Sequence, residues 1–141
     1  MSNLKRFIDA QETAYPTALL EIKNGKKRSH WMWYIFPQIQ GLGLSETSKF
    51  YAIKDITEAE AFLEHPVLGS RLLEISNELL KLKSNDPYQI FGSPDDAKLQ
   101  SSMTLFAYLN ADAVFEQVLQ KFFEGAKDEQ TLRIIRRQNM R

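Results

Sequence analysis

Residues 66–83 read PVLGSRLLEISNELLKLK, and this stretch decides the fold. Its apolar side chains recur every three or four residues, the spacing that places them on one face of an α-helix. Pro66 suits the first turn of a helix, because an N–H at that position would have no partner within the helix. We therefore predict a long core helix, with an apolar face formed by Val67, Leu68, Leu72, Ile75, Leu79 and Leu82.

Helix signals also precede this stretch. Apolar residues at helical spacing from Leu4 to Ile8 predict a short amphipathic helix that ends before Pro16, since proline interrupts a helix interior. Pro16 then begins a second helix. Residues 57–60, TEAE, match a capping box, in which a hydroxyl and a carboxylate three positions apart each accept a backbone N–H. This box predicts a further helix that runs to His65.

Helix signals after the stretch complete the pattern. Ser93-Pro94-Asp95-Asp96 combines a capping residue, a proline and two acids that favour the positive end of a helix dipole. It predicts a helix to about Leu109, and apolar periodicity predicts more helix towards the end of the chain. The fold class we expect is mainly α. It is a compact single-domain bundle of about six to seven helices with irregular connections, covering residues 1–141.

The composition limits the class of protein. The 18 basic residues balance the 18 acidic ones, so we expect neither a nucleic acid nor a membrane as a partner. The chain has no cysteine, which excludes disulfides and thiolate chemistry. His30 and His65 are too far apart in sequence to form a metal-binding pair, and we predict no metal site. We see no signal peptide or membrane-spanning run and expect a cytoplasmic protein.

Residues 29–43, SHWMWYIFPQIQGLG, are the least ordinary part of the chain and contain both tryptophans. One interpretation is a buried element, for which we favour a helix from His30 to Phe36, with the aromatic rings as core. The other is a ligand pocket, because polar side chains flank the aromatic run on both sides. In a pocket, Trp31 or Trp33 would stack a flat ring. A phosphate would then meet Lys27, Arg28 and the backbone amides of residues 41–43. Arg71 is a further candidate for binding an anion.

A second group of polar residues lies on the predicted helix after Ser93. Asp95, Lys98 and Ser102 fall on one side of it, at spacings of three and four. Hydroxyl residues in the middle of a helix are costly, because they compete for backbone hydrogen bonds. Close helix packing and a functional site explain them equally well. A nucleophilic pair of Ser101 with Lys98 is a weaker alternative, since spacing alone supports it.

Several blocks resemble the signature blocks of the bacterial domain-of-unknown-function family 1810. They are YPxALxEI at 15–22, KxSHWMWYIFPQ at 27–38, GLG at 41–43, HPVLGxRL at 65–72 and FGxxDDxKLxSSMTLF at 91–106. The resemblance implies a compact, mainly helical fold and no established activity. The helical layout is also similar to the NADAR superfamily, which implies an NAD- or ADP-ribose-type ligand. If the catalytic acid of such an enzyme lay in the aromatic block, a carboxylate would be expected there, and none is present between His30 and Gln40. Asp95 or Asp96 would then have to act as that acid.

Two functional hypotheses follow, and whether the protein is an enzyme stays open. The first is the binding or processing of a nucleotide-like small molecule in an aromatic pocket, with no cofactor specified. The second is a non-catalytic protein-interaction module that uses the Trp-rich surface. For the first, the catalytic candidates are His30, Asp95 and Ser102. The binding candidates are Lys27, Arg28, Trp31, Trp33, Gln38, Arg71 and Lys98. We expect His30, Trp33, Gln38, Arg71, Asp95, Lys98 and Ser102 to converge on one concave site.

Overall fold

The computed structural model describes residues 3–140, of which 65% are helical and none lie in a strand. The mainly helical fold is therefore confirmed. The helices of this range are α1 (Lys5–Lys23), α2 (Met32–Ile35), α3 (Glu46–Phe50), α4 (Ile56–Glu64), α5 (Leu68–Leu80), α6 (Pro87–Phe91), α7 (Asp95–Tyr108), α8 (Val114–Phe123) and α9 (Glu129–Asn139). Their number exceeds the six to seven predicted. Helix α3 was not predicted, because its five residues are too few to show a helical period.

All the long helices share one hydrophobic core. Helix α5 packs against α1, α4 and α8, as its apolar face predicts, and α7 packs against α6, α8 and α9. Helix α7 is the most enclosed, since every residue from Ser101 to Ala107 is buried. A helix that is covered on all sides needs no separate apolar and polar faces. For this reason the sequence shows a clear apolar face for α5 but not for α7.

Helix α1 is continuous through Pro16, so the predicted break at this proline is wrong. The buried face of the helix explains why. Phe7, Gln11, Tyr15 and Ala18 recur at helical spacing, and this face packs on α5, while Pro16 is exposed on the other side. The packing of a 19-residue helix outweighs the one hydrogen bond that the proline removes.

The junction between α4 and α5 confirms one prediction and corrects another. Asp55, not Thr57, caps α4, and its Oδ1 accepts the N–H of Glu58 at 2.9 Å. The helix ends at Glu64, next to the predicted His65. At Gly69 the two helices approach closely, because a Cβ there would overlap the carbonyl oxygen of Leu63.

Helix α2 follows a short connection from α1 and begins after Trp31. The turn after it returns the chain through Ile39, which forms an isolated parallel bridge with Ile53. That bridge places the segment containing α3 beside the aromatic block. The N-terminus of α7 also meets the aromatic block, since Lys98 lies over the ring of Trp33. This arrangement positions the candidate site.

Candidate functional site

A buried carboxylate fixes the connection between α1 and α2. Glu21 is 8% exposed, and its Oε1 accepts the N–H groups of Arg28 (2.8 Å) and Ser29 (3.0 Å) and the indole N–H of Trp31 (2.8 Å). Its Oε2 accepts the Ser29 hydroxyl at 2.5 Å. Burial alone would raise the pKa of Glu21, but these hydrogen bonds, led by that of the Ser29 hydroxyl, lower it to about 2. Glu21 therefore stays ionised and holds the backbone that carries His30 and the tryptophans.

A half-buried charge cluster lies beside the tryptophans. Asp95 pairs with Lys27 at 2.8 Å through Oδ2 and with Lys98 at 3.2 Å through Oδ1. Lys27 also donates to the Ser29 carbonyl at 2.5 Å. The side chain of Asp95 is 19% exposed, that of Lys27 8% and that of Lys98 22%. Two lysines and one carboxylate leave one positive charge, which we call the Lys27–Asp95–Lys98 cluster.

Each lysine of this cluster lies over one tryptophan ring. The Nζ of Lys27 is 5.0 Å from the ring centroid of Trp31, and that of Lys98 is 4.9 Å from the ring centroid of Trp33. Both distances are in the cation–π range. The cluster is thus tied to the aromatic block through both indoles.

The two tryptophans have different environments. Trp31 is 1% exposed and lies in the core against Phe36 and Phe91. A ligand ring cannot reach it, so the predicted stacking on Trp31 is corrected. Trp33 is half-buried, with part of its ring at the surface. It is the tryptophan that a ligand can contact.

An open depression of about 570 Å³ lies beside Trp33, and we call it the aromatic depression. Tyr34 and Tyr51 pack together in its wall, with 5.1 Å between ring centroids. Burial, and secondarily the neighbouring Tyr51, raises the pKa of Tyr34, whose hydroxyl donates to the His30 carbonyl at 3.3 Å. The lining residues are His30, Trp33, Tyr34, Glu46, Thr47, Phe50 and Tyr51.

A separate narrow crevice of about 30 Å³ shares the lining residues Trp33 and Tyr51 with the aromatic depression. Gln38, Gln40, Gly41 and Gly43 also line the crevice. A second open depression of about 670 Å³ shares the lining residues Gln40 and Gly41 with the crevice. We call this second space the polar depression. Its other lining residues are Lys54, Asp55, Ile56, Thr57, Ile134, Arg137, Gln138 and Asn139.

Five of the seven residues expected to converge are brought together around Trp33. His30 shares the aromatic depression with Trp33, and Gln38 shares the crevice with it. Lys98 lies over the indole and pairs with Asp95. Both oxygens of Asp95 contact lysines, so the contact that the structure shows for this carboxylate is ion pairing.

Arg71 and Ser102 lie away from this group. Arg71 contacts the ring of Tyr15 at 5.2 Å and the Gln11 side chain at 3.4 Å, and it lines neither depression nor the crevice. Ser102 is fully buried, and its hydroxyl has no hydrogen-bond partner among residues 3–140. The catalytic role predicted for Ser102 is therefore corrected, and so is the expected position of Arg71 in one site with Trp33.

Lys27 and Arg28 also differ from each other. The Lys27 side chain is 8% exposed and its ammonium group is already paired, so it does not offer a free phosphate contact as predicted. Arg28 is exposed. Of the three cations, Arg28 is thus exposed, Lys98 is 22% exposed and Lys27 is the most buried.

The other hydroxyls of α7 have a structural role. Ser101 donates to Asp128 Oδ2 at 3.1 Å, and Thr104 accepts the backbone N–H of Asp128 at 2.9 Å. Asp128 caps α9 by accepting the N–H of Thr131. Helix packing, one of the two predicted explanations, accounts for these residues. A Ser101–Lys98 pair does not form, because each partner bonds to a different carboxylate.

Sequence reasoning missed the residues that close the site from α3 and α9. Phe50, Tyr51, Lys54 and Arg137 lie in segments that show no motif. The one available signal was the pair of adjacent aromatics at 50–51 after a glycine turn. Exposed aromatic neighbours of this kind are typical of a binding surface rather than of a core.

Within residues 3–140, no group of three or more His, Asp or Glu side chains is arranged to hold a metal ion. No helix in this range combines the length and the apolar character that crossing a membrane requires.

The fold and the site define a small helical protein with an aromatic surface depression beside a positive cluster. The chain belongs to the family described as protein of unknown function, DUF1810, whose model matches residues 1–135. It is similar to the crystal structure of the conserved hypothetical protein Rv1873 from Mycobacterium tuberculosis, with 42% identity and a TM-score of 0.92 over 94% of this chain and 96% of that one. No curated protein matches the chain. The resemblance to the NADAR superfamily is not shown by these comparisons and stays a hypothesis.

Proposed function

We propose that the protein binds a nucleotide-like small molecule, with the ring in the aromatic depression against Trp33 and an anionic group drawn to the Lys27–Asp95–Lys98 cluster. The observation that carries this proposal is that Trp33 contacts both parts of the site. Its indole lines the depression and also lies under the Lys98 ammonium, 4.9 Å from the ring centroid. One side chain thus brings a stacking surface and a positive charge together.

The energies involved are adequate for a weak to moderate ligand. Stacking of a base on an aromatic side chain contributes about 1–3 kcal/mol. The single net positive charge is half-buried, where solvent screens it less than it screens a free surface lysine. Ligands with a flat ring and a phosphate satisfy both features, and NAD- and ADP-ribose-type molecules belong to this chemical class.

His30 is the titratable group best placed for chemistry on such a ligand. It is exposed on the wall of the aromatic depression and carries neither an ion pair nor a side-chain hydrogen bond with any described residue. Histidine exchanges protons near neutral pH and is a common general acid or base. If the protein is an enzyme, we propose His30 as the proton-transfer residue.

Isothermal titration calorimetry with adenosine 5′-monophosphate tests the binding proposal. We expect saturable binding to the wild-type protein and an affinity at least tenfold lower for Trp33→Leu, because the stacking surface is lost. Tyr88→Leu is the matched control, since Tyr88 is an exposed aromatic residue outside the depressions, and it should bind as the wild type does. Equal affinities for all three proteins would refute the proposal.

A second candidate function is supported by two exposed apolar side chains near the same site. Leu44 is 87% exposed and Phe50 is 56% exposed, and Phe50 also lines the aromatic depression. Exposed anchors of this kind are common in protein interfaces. Leu44→Ser separates the two functions, since Leu44 does not line the aromatic depression. It should weaken capture of a protein partner and leave the calorimetric titration unchanged.

A further inference from the structure

The polar depression differs in chemistry from the aromatic depression and shares no lining residue with it. Its volume of about 670 Å³ is within the range of about 300–1,000 Å³ that is usual for small-molecule sites. The described residues that line it include no Phe, Trp or Tyr, whereas four such residues line the aromatic depression. A ligand of the polar depression would therefore be recognised through polar groups and not by stacking of a ring.

Two cations without a partner carboxylate line this depression. Lys54 and Arg137 are both exposed. Among residues 3–140, neither forms an ion pair within 4.0 Å with a carboxylate. Asp55 is the carboxylate of the lining, and its Oδ1 accepts the N–H of Glu58. Two cations and one carboxylate leave one net positive charge, which favours an anion.

Hydrogen bonds fix the backbone that carries Lys54. Its N–H donates to Glu58 Oε1 at 2.8 Å, and its carbonyl accepts the side-chain N–H of Gln138 at 3.0 Å. The Glu58 side chain is 3% exposed and pairs with Arg6 at 3.1 Å. The bond from Gln138 ties this backbone to α9, the helix that carries Arg137. One hydrogen-bonded framework therefore holds both cations at the polar depression.

Three side-chain amides and one hydroxyl supply the other polar groups of the lining: Gln40, Gln138, Asn139 and Thr57. Gln138 already donates to Lys54, whereas the other three residues are exposed. Amide groups both donate and accept hydrogen bonds, as does a hydroxyl, so they suit a ligand that carries several hydroxyl groups. Ile56 and Ile134 add apolar surface on which the C–H groups of a sugar ring can pack.

We infer that the polar depression binds a phosphorylated sugar, with its phosphate at Lys54 and Arg137. The sugar hydroxyls then meet Gln40, Thr57 and Asn139. This site is additional to the one proposed at Trp33 and does not depend on it. A phosphate monoester carries a charge of about −1.5 to −2 at neutral pH, which matches two cations, and Arg and Lys bind its oxygens through charge-assisted hydrogen bonds.

The two parts of this ligand make separate contributions. Inorganic phosphate would use the cations alone, and a neutral sugar would use the amides and the hydroxyl alone. A molecule that carries both groups should therefore bind more tightly than either part. This difference is the property that the experiment measures.

Titration of ¹H–¹⁵N spectra with glucose 6-phosphate and ribose 5-phosphate tests the inference. At least one of them should bind in a saturable manner, and at least tenfold more tightly than inorganic phosphate or glucose. The backbone signals of residues 54–57 and the side-chain amide signal of Gln40 should shift, and the Trp33 indole signal should stay in place. Lys54→Gln, Arg137→Gln should lower the affinity at least tenfold.

Two further double variants complete the test. Arg133 and Arg136 are exposed on α9 and do not line the depression, so Arg133→Gln, Arg136→Gln is the matched control and should bind as the wild type does. Gln40→Ala, Thr57→Ala should weaken binding of the sugar phosphate and leave that of inorganic phosphate unchanged.

Four outcomes would overturn the inference: neither sugar phosphate binds, inorganic phosphate binds as tightly, the two charge variants lose affinity equally, or the shifts occur at the Trp33 indole. None of these outcomes bears on adenosine 5′-monophosphate, whose titration tests the proposed function separately. If the nucleotide fails to bind and a sugar phosphate binds as described, the proposed function fails and this inference stands.

Discussion

Removal of the Glu21 charge should loosen the connection that carries the aromatic block. The carboxylate accepts four hydrogen bonds while 8% exposed. Its folded pKa of about 2, against an ordinary value of 4.5, corresponds to about 3 kcal/mol of stability. Because the folded pKa is depressed, this contribution is complete above pH 4.5 and is lost as the pH falls through 2. Glu21→Gln removes the charge and replaces an acceptor oxygen with a donor.

Urea denaturation followed by tryptophan fluorescence measures the effect. At pH 7 we expect Glu21→Gln to lower the free energy of unfolding by about 3 kcal/mol, and the difference from wild type should shrink towards zero near pH 2. Glu12→Gln is the control, since Glu12 is exposed on the same helix, and it should change stability by less than about 0.5 kcal/mol. A difference below 1 kcal/mol at pH 7, or one that does not depend on pH, would refute the reasoning.

Substitutions at four further positions test the fold and the charge cluster by the same denaturation assay. Gly69→Ala should cost about 3 kcal/mol, because its Cβ overlaps the backbone of Leu63; a cost below 1 kcal/mol would contradict the close helix contact. His65 Nδ1 accepts the N–H groups of residues 67 and 68, so His65→Ala should cost about 1 kcal/mol and His65→Asn less; equal losses would argue against capping. Asp95→Asn leaves two lysines without a counter-charge and should cost about 2 kcal/mol, whereas Lys98→Gln should cost under 1; the reverse order would disprove the pairing scheme.

The sequence predicts the parts of the fold that show a period or a local signal. The apolar face of α5, the stop at His65 and the helix after Ser93 all come from spacing and capping chemistry. The break at Pro16 fails because long-range packing of α1 on α5 outweighs a local preference. Helix α3 is not predicted for a different reason, since its five residues are too few to show a helical spacing of apolar side chains.

The candidate site is predictable only in part for the same reasons. An unusual run of aromatic residues locates the site at residues 29–43, but it does not tell which tryptophan is exposed. That depends on Glu21, which accepts the indole N–H of Trp31 from ten residues away and fixes it in the core. Lys54 and Arg137 line the same depression although 83 residues separate them in the chain, and no local pattern in either segment predicts this.

The measurement that tests the central claim most directly follows the indole N–H signals in a ¹H–¹⁵N spectrum. The chain has two tryptophans, so two signals are expected, and the Trp33→Phe variant assigns them. On titration with adenosine 5′-monophosphate, the Trp33 signal should shift in a saturable manner. The Trp31 signal, from a ring that is 1% exposed and bonded to Glu21, should stay in place. If neither signal moves at millimolar nucleotide, or if the Trp31 signal moves alone, the aromatic depression is not the ligand site.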